Sequence, residues 1–199
     1  MKITRVEETP NPAALKFIMA EPVVASGGSL SFVSNDDEDY TGDNALALAL
    51  FKVGACNVFL CQDYVSVTMF SANAWEYLMA DVKSAIETHL LPPGEEPAKA
   101  EPKDSVLNHI DREAFPHLSD QKKLSIIDSL MDEIIRPALA NDGGGLEVIK
   151  VEGNEVLIKY QGACGSCPSS IGGTLAAIER LVQNHLDPNM TVSAGTASA

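Results

Sequence analysis

Residues 146–182 read LEVIKVEGNEVLIKYQGACGSCPSSIGGTLAAIERLV, and this stretch decides the architecture of the C-terminal part of the chain. Leu146–Val151 and Glu155–Tyr160 are rich in β-branched residues and flank Glu152-Gly153-Asn154, a turn of hairpin chemistry, so both are expected to be strands. Ile171, Leu175, Ile178 and Val182 then fall at helical spacing. Between hairpin and helix lies Gly162-Ala-Cys164-Gly-Ser-Cys167-Pro168-Ser-Ser170. Two thiols separated by two residues can face one metal centre, and the glycines at 162 and 165 let the backbone bend towards it. Pro168 suits the first position of a helix, which puts Cys164 and Cys167 at or beside a helix N-terminus. Unpaired amides and the positive dipole end there favour thiolate, and with it the negative charge of a thiolate-ligated centre.

Upstream, Leu124, Ile127, Leu130, Met131, Ile134 and Ile135 mark a helix starting near Ser119, which Pro137 is expected to kink or end. Asn141-Asp-Gly-Gly-Gly145 is expected to stop any regular element. Further back, Ala45–Val53 and Trp75–Leu91 read as amphipathic helices. Asn57–Leu60 and Tyr64–Phe70 form a hairpin about Gln62-Asp63, and Ile3–Val6 and Leu15–Met19 add strands. The fold class is therefore α+β, with two small domains. Residues 1–91 form the N-terminal domain and 120–192 the C-terminal one. The Pro- and Glu-rich stretch 92–119 is the linker, which lets its flanks move independently, and 193–199 is a disordered tail.

The formal charge of −14 argues against nucleic acid or an anionic membrane as partner, since both demand clustered Lys and Arg. It divides as −7 over residues 1–91, −3 over 92–119 and −4 over 120–199. No stretch approaches the roughly 20 apolar residues that span a bilayer. The opening residues carry acids and lack the apolar run of a secretion signal, so the expected location is cytoplasmic. Four cysteines are too few for a disulfide scaffold, so the Cys-x-x-Cys pair reads as metal or redox chemistry in a reducing compartment.

Three chemistries fit the pair. An iron–sulfur cluster is typically held by four protein ligands, and two chains related by a two-fold axis would supply them as two copies of Cys164 and Cys167. A thiol–disulfide oxidoreductase, with Cys164 as nucleophile, places the same motif between strand and helix. The sequence ahead of the motif shows none of the βαβ crossover that accompanies that chemistry. Zinc needs two further ligands. Cys56 and Cys61, five apart, point to opposite faces of an uninterrupted strand and are read as half-buried thiols, which leaves a structural zinc dimer as the third option. Asp37-x-Asp39-x-Thr41-Gly42 imitates the start of a calcium loop, but Leu48 stands where a bidentate Glu is needed. His89, His109, His117 and His185 have no paired spacing, and Trp75 reads as core.

NDGGGLEV at 141–148 with GACGSCPSS at 162–170, after a helix ending Ile135-Arg136-Pro137, resembles the C-terminal domain of the NifU-like (Nfu) iron–sulfur cluster carriers. EETPNPAALKFIM at 7–19 with ALALALFKVGACNVFLCQDYVSVT at 45–68 resembles the N-terminal domain of many of the same proteins. The resemblance implies that Cys164 and Cys167 are cluster ligands and that a [4Fe–4S] cluster bridges a homodimer. It implies a non-enzymatic scaffold or carrier that receives the cluster from the upstream assembly machinery and transfers it to apo-proteins. Cys56 and Cys61 match no ligand of that pattern, and the glycine run carries no assigned chemistry. Both thiolates are expected to be exposed ligands rather than core.

Overall fold

The computed structural model describes residues 1–25, 28–34, 42–91, 110–165 and 168–195, with side chains of the last segment from residue 172 onward. The architecture is α+β, with two sheets of different size. The N-terminal sheet contains β1 (Ile3–Glu8), β2 (Ala14–Met19), β3 (Ser29–Val33), β4 (Ala55–Cys61) and β5 (Tyr64–Met69) in the order β1-β2-β5-β4-β3, all neighbours antiparallel. Gln62, at φ 51°, makes the tight turn between β4 and β5. The strand β3 was not anticipated. Two helices, α1 (Ala45–Val53) and α2 (Trp75–His89), cover one face. The Asn44 side chain accepts from the Ala47 amide at 2.9 Å to start α1, and Gly54, at φ 107°, ends it. Leu46, Leu50, Val82 and Ile86 pack there on Phe17, Val58, Val65 and Val67. Trp75 is core as expected. Its indole N–H donates to the Ala13 carbonyl at 3.0 Å, with its ring 6.0 Å from that of Phe17.

The C-terminal sheet has the order β6-β7-β8, from Gly144–Glu152, Glu155–Gly162 and Thr191–Ala194. The helices α3 (Asp120–Leu130), α4 (Arg136–Asn141) and α5 (Pro168–His185) complete the fold. Ile127, Leu130 and Met131 meet Ile158, Ile178 and Val182 in its core. Pro137 neither ends the helical run nor follows a regular turn: residues Met131–Ile135 widen into a π-turn between α3 and α4. Proline has no N–H, and its ring crowds the carbonyl four residues back, so a loosened ladder just ahead of it relieves both problems. Arg136 fastens this turn to the sheet. Its Nε donates to the Leu146 carbonyl at 3.0 Å and its terminal nitrogens reach Asp128 and Asp132 at 2.6 Å.

Three further expectations are corrected. The Asn141–Gly145 run ends α4 at Asn141, as expected, but does not keep out regular structure, since β6 begins at Gly144, and of its glycines only Gly143, at φ 76°, needs the left-handed region. Ser193 and Ala194 belong to β8, not to a tail, and β8 runs parallel to β7. Within the span read as linker, Phe115 lies in a short 3-10 turn and is fully buried in the C-terminal core, and Ile110 and Leu118 pack against the same core. Lys123, itself buried, lies over the Phe115 ring and donates to the Gly153 carbonyl at 2.8 Å. The packed C-terminal body therefore includes residues from 110 onward; residues 92–109 lie outside the described chain.

Candidate metal centre

Cys164 stands just past the end of β7, four residues before the point where α5 begins at Pro168. Cys167 and the calcium-like stretch up to Thr41 lie outside the described residues. The turn that presents Cys164 is built by glycines. Gly162, at φ 63°, lets the chain leave the strand, its carbonyl accepts from the Gly165 amide at 3.1 Å, and the Ala163 amide donates to the Gly143 carbonyl at 3.2 Å. A Cβ on Gly144 would overlap the sulfur of Cys164 and come within 2.9 Å of its Cβ. The glycine run to which the sequence assigned no chemistry is thus the surface on which the cysteine rests.

The expectation that Cys164 is an exposed ligand is corrected: it is 3% exposed and belongs to the C-terminal apolar core. Its surroundings come from both halves of the chain. The side-chain amide of Asn11 donates to the Ala163 carbonyl at 3.2 Å, and the Tyr64 hydroxyl to the Gly144 carbonyl at 3.5 Å. Burial, and secondarily the proximity of Cys164, pushes the Tyr160 hydroxyl up to about 12. Tyr64 moves in the same direction, through burial first and then Cys61. Both phenols stay neutral at ordinary pH, so neither is a base for the thiol.

Cys56 and Cys61 are half-buried and free of disulfides, as expected. The Cys56 thiol donates to the Thr68 carbonyl at 3.3 Å, and burial pushes the Cys61 thiol up despite its hydrogen bond with Tyr64 and nearby Lys16. Among the described residues no three His, Cys, Asp or Glu side chains gather as a metal site. His89 and His117 are exposed, His185 is half-buried, and His109 lies outside the described residues. No helix among them is long and apolar enough to cross a membrane.

Ahead of the motif stand α3, α4 and the antiparallel hairpin β6-β7, with no βαβ crossover, as expected, but the motif itself opens one. Because β8 pairs parallel with β7, β7–α5–β8 is a βαβ crossover, and Cys164 sits at its first corner. Sequence reading missed it because β8 is four residues long and offers one buried apolar side chain, Val192.

Residues 3–92 match the scaffold protein Nfu/NifU N-terminal family and residues 127–193 the NifU-like domain. A nitrogen fixation protein NifU from Anabaena sp. (strain L31) is 40% identical over 77 residues, 39% of this chain and 69% of that protein. The chain belongs to the NifU-like family. Over 92% of its length it is also 28% identical to the NFU1 iron-sulfur cluster scaffold homolog, mitochondrial, of Drosophila sechellia, of which it spans 61%. Among solved structures, protein SAV1430 of Staphylococcus aureus is 28% identical, with 43% of this chain and 99% of that one covered and a TM-score of 0.34. The two family matches fall on the two sheets and divide the chain as the sequence reading does, into an N-terminal and a C-terminal unit.

Proposed function

We propose that this NifU-like chain is a non-enzymatic iron–sulfur carrier: Cys164 and Cys167 of two chains together hold a [4Fe–4S] cluster, received from upstream assembly machinery and delivered to apo-proteins. The observation that carries the reading is Cys164 on a glycine-built turn directly ahead of α5, within residues matching the NifU-like domain. The name of the Drosophila relative, an iron-sulfur cluster scaffold homolog, supports it. Each chain brings two thiolates and the cluster takes four, so cluster and dimer are linked by mass action. The holo-protein is a homodimer and the apo-protein a monomer at low micromolar concentration. Thiolates must lose protons to bind iron, so mild acid releases iron and dissociates the dimer together. A reducing compartment suits this chemistry, the cytoplasm in our reading.

The βαβ corner supports a second reading, a thiol–disulfide oxidoreductase with Cys164 as nucleophile. Anaerobic reconstitution with iron and sulfide, followed by Mössbauer spectra, an iron count and analytical ultracentrifugation, separates the two. The carrier reading expects four irons per dimer and sedimentation as a dimer only when loaded. A protein that takes up no iron yet catalyses disulfide exchange would leave the oxidoreductase. A loaded monomer would mean that other ligands complete the site and that no cluster is shared.

A further inference from the structure

An antiparallel sheet with helices on one face ordinarily turns the other to water. The N-terminal sheet does not. On the face away from α1 and α2, Lys16 and Ile18 of β2, Asn57 and Phe59 of β4, and Tyr64 and Ser66 of β5 are all buried. The glycine turn of the C-terminal unit helps to cover them. A Cβ on Gly145 would stand 2.8 Å from the Phe59 ring and one on Gly162 2.9 Å from it, while one on Gly143 would meet Thr9 at 3.0 Å and the Ser66 hydroxyl at 3.2 Å. Ala140 packs on the cluster of Ile18, Phe59 and Tyr64.

Among the described residues, hydrogen bonds cross this seam from Asn11 to the Ala163 carbonyl, from Lys16 to the Ala140 carbonyl at 3.0 Å, and from Tyr64 to the Gly144 carbonyl. Two of the acceptors, Ala163 and Gly144, lie in the segments that frame Cys164, and the third, Ala140, lies in α4 just ahead of them. The two halves are therefore docked, where the sequence suggested independent movement. Yet the side-chain amide oxygen of Asn57 (Oδ1) and the Ser66 and Thr68 hydroxyls on this face are buried without a hydrogen-bond partner among the described residues. Buried polar groups left in that condition favour any state in which water reaches them. The seam thus combines close fit with a built-in incentive to open, as expected of an interface between domains that separate.

We propose that the outer face of the N-terminal sheet is an intramolecular cap over the Cys164 turn, closed in the metal-free monomer and displaced when the cluster is loaded. Cys164, 3% exposed between the core of its own unit and the face that carries Tyr64, cannot reach a centre shared with a second chain, so loading requires the turn to be uncovered. The gating role rests on the carrier reading; the cap itself does not.

The test uses the full chain without metal. The triple variant Asn11→Ala, Lys16→Ala, Tyr64→Phe removes these crossing bonds and little apolar bulk. Gly145→Ala wedges the seam at Phe59 without touching a hydrogen bond. Site-resolved mass spectrometry of Cys164 alkylation is combined with small-angle X-ray scattering and, afterwards, the rate of reconstitution. Wild type is expected to be compact. Both variants are expected to be more extended, to alkylate Cys164 about tenfold faster and to take up iron and sulfide sooner. The cap is overturned if the wild type is already extended, if the variants stay as compact and as slow as wild type, or if they extend with no change at Cys164. Variants that open and expose Cys164, in a chain that never takes up iron, would sink the carrier reading and leave the cap standing.

Discussion

The two sheets of this molecule carry strands of similar alternation and bury them differently. In β7, Val156, Ile158 and Tyr160 face the helices and are buried, while Leu157, Lys159 and Gln161 on the opposite face stay half-exposed. In β5 all six residues are buried: Val65, Val67 and Met69 beneath the helices, and Tyr64, Ser66 and Thr68 on the other side. The inner row is apolar, as a permanent core requires. The outer row mixes aromatic and hydroxyl side chains, a composition at home either in water or against a partner. One face of the N-terminal sheet therefore belongs to its own core, and the other to a contact that its chemistry allows to be reversible.

The largest expected effect falls on the metal and breaks the equivalence of the four cysteines. Cys164→Ser and Cys167→Ser are each expected to abolish iron binding in reconstitution, whereas Cys56→Ser and Cys61→Ser keep full iron content. Because Cys164 is core as well as proposed ligand, its replacement also costs about 1 kcal/mol of stability, a burden not expected of a surface ligand. Iron lost in either of the last two variants would overturn the ligand assignment.

The next effect concerns where the C-terminal unit starts. Phe115 is fully buried, so Phe115→Ala is expected to destabilise that unit by about 3–5 kcal/mol, read as a shift in its urea midpoint. A residue of an open linker would change it by less than about 0.5 kcal/mol. Gly144→Ala comes third. Its methyl group would strike Cys164 and come within 2.9 Å of the Gln161 carbonyl, so a loss of about 1–3 kcal/mol and weaker iron binding are expected together. Reduced stability with unimpaired iron binding would mean that the turn need not hold Cys164 in this position.

Much of this was legible in the sequence, for identifiable reasons. Helices α1, α2 and α5 and both hairpins follow from short-range periodicity and turn chemistry, which are properties of neighbouring residues. The Cys164 and Cys167 pair stood out by spacing alone. What escaped depends on contacts distant in the chain. β8 exists because β7 is there to pair with it, and Phe115, among Pro, Glu and His, acquires its burial from α3 and the hairpin beyond. Asn11, which bonds the carbonyl next to Cys164, and Tyr64, close to its thiol, lie more than a hundred and about a hundred residues away. One signal was available: β4 is apolar on alternate residues in both registers, with Phe59 and Cys61 in one and Val58 and Leu60 in the other. A strand built that way asks for cover on both faces.

The smallest expected effect is also the one that most directly sharpens the comparison of the two faces. In the docked chain the Ser66 hydroxyl is buried beside Gly143 and lacks a hydrogen-bond partner among the described residues, so it bears a desolvation cost without return. Ser66→Ala removes the hydroxyl and almost no volume. If the closed form dominates in the metal-free protein, the substitution relieves that cost and stabilises the chain by up to about 1 kcal/mol. If the face is open to water, the hydroxyl is hydrated in folded and unfolded chain alike, and the change is close to zero. The sign follows from the reference state: relief arises only where folding strips the group of water. Val65→Ala, on the helix side of the same strand, serves as the control, since it creates a cavity in the permanent core and destabilises in either case. Urea titration of both variants, read separately for the two units, decides the matter, and a Ser66→Ala protein less stable than wild type would show that the hydroxyl finds a partner on closing and that the outer face is as permanent as the inner one.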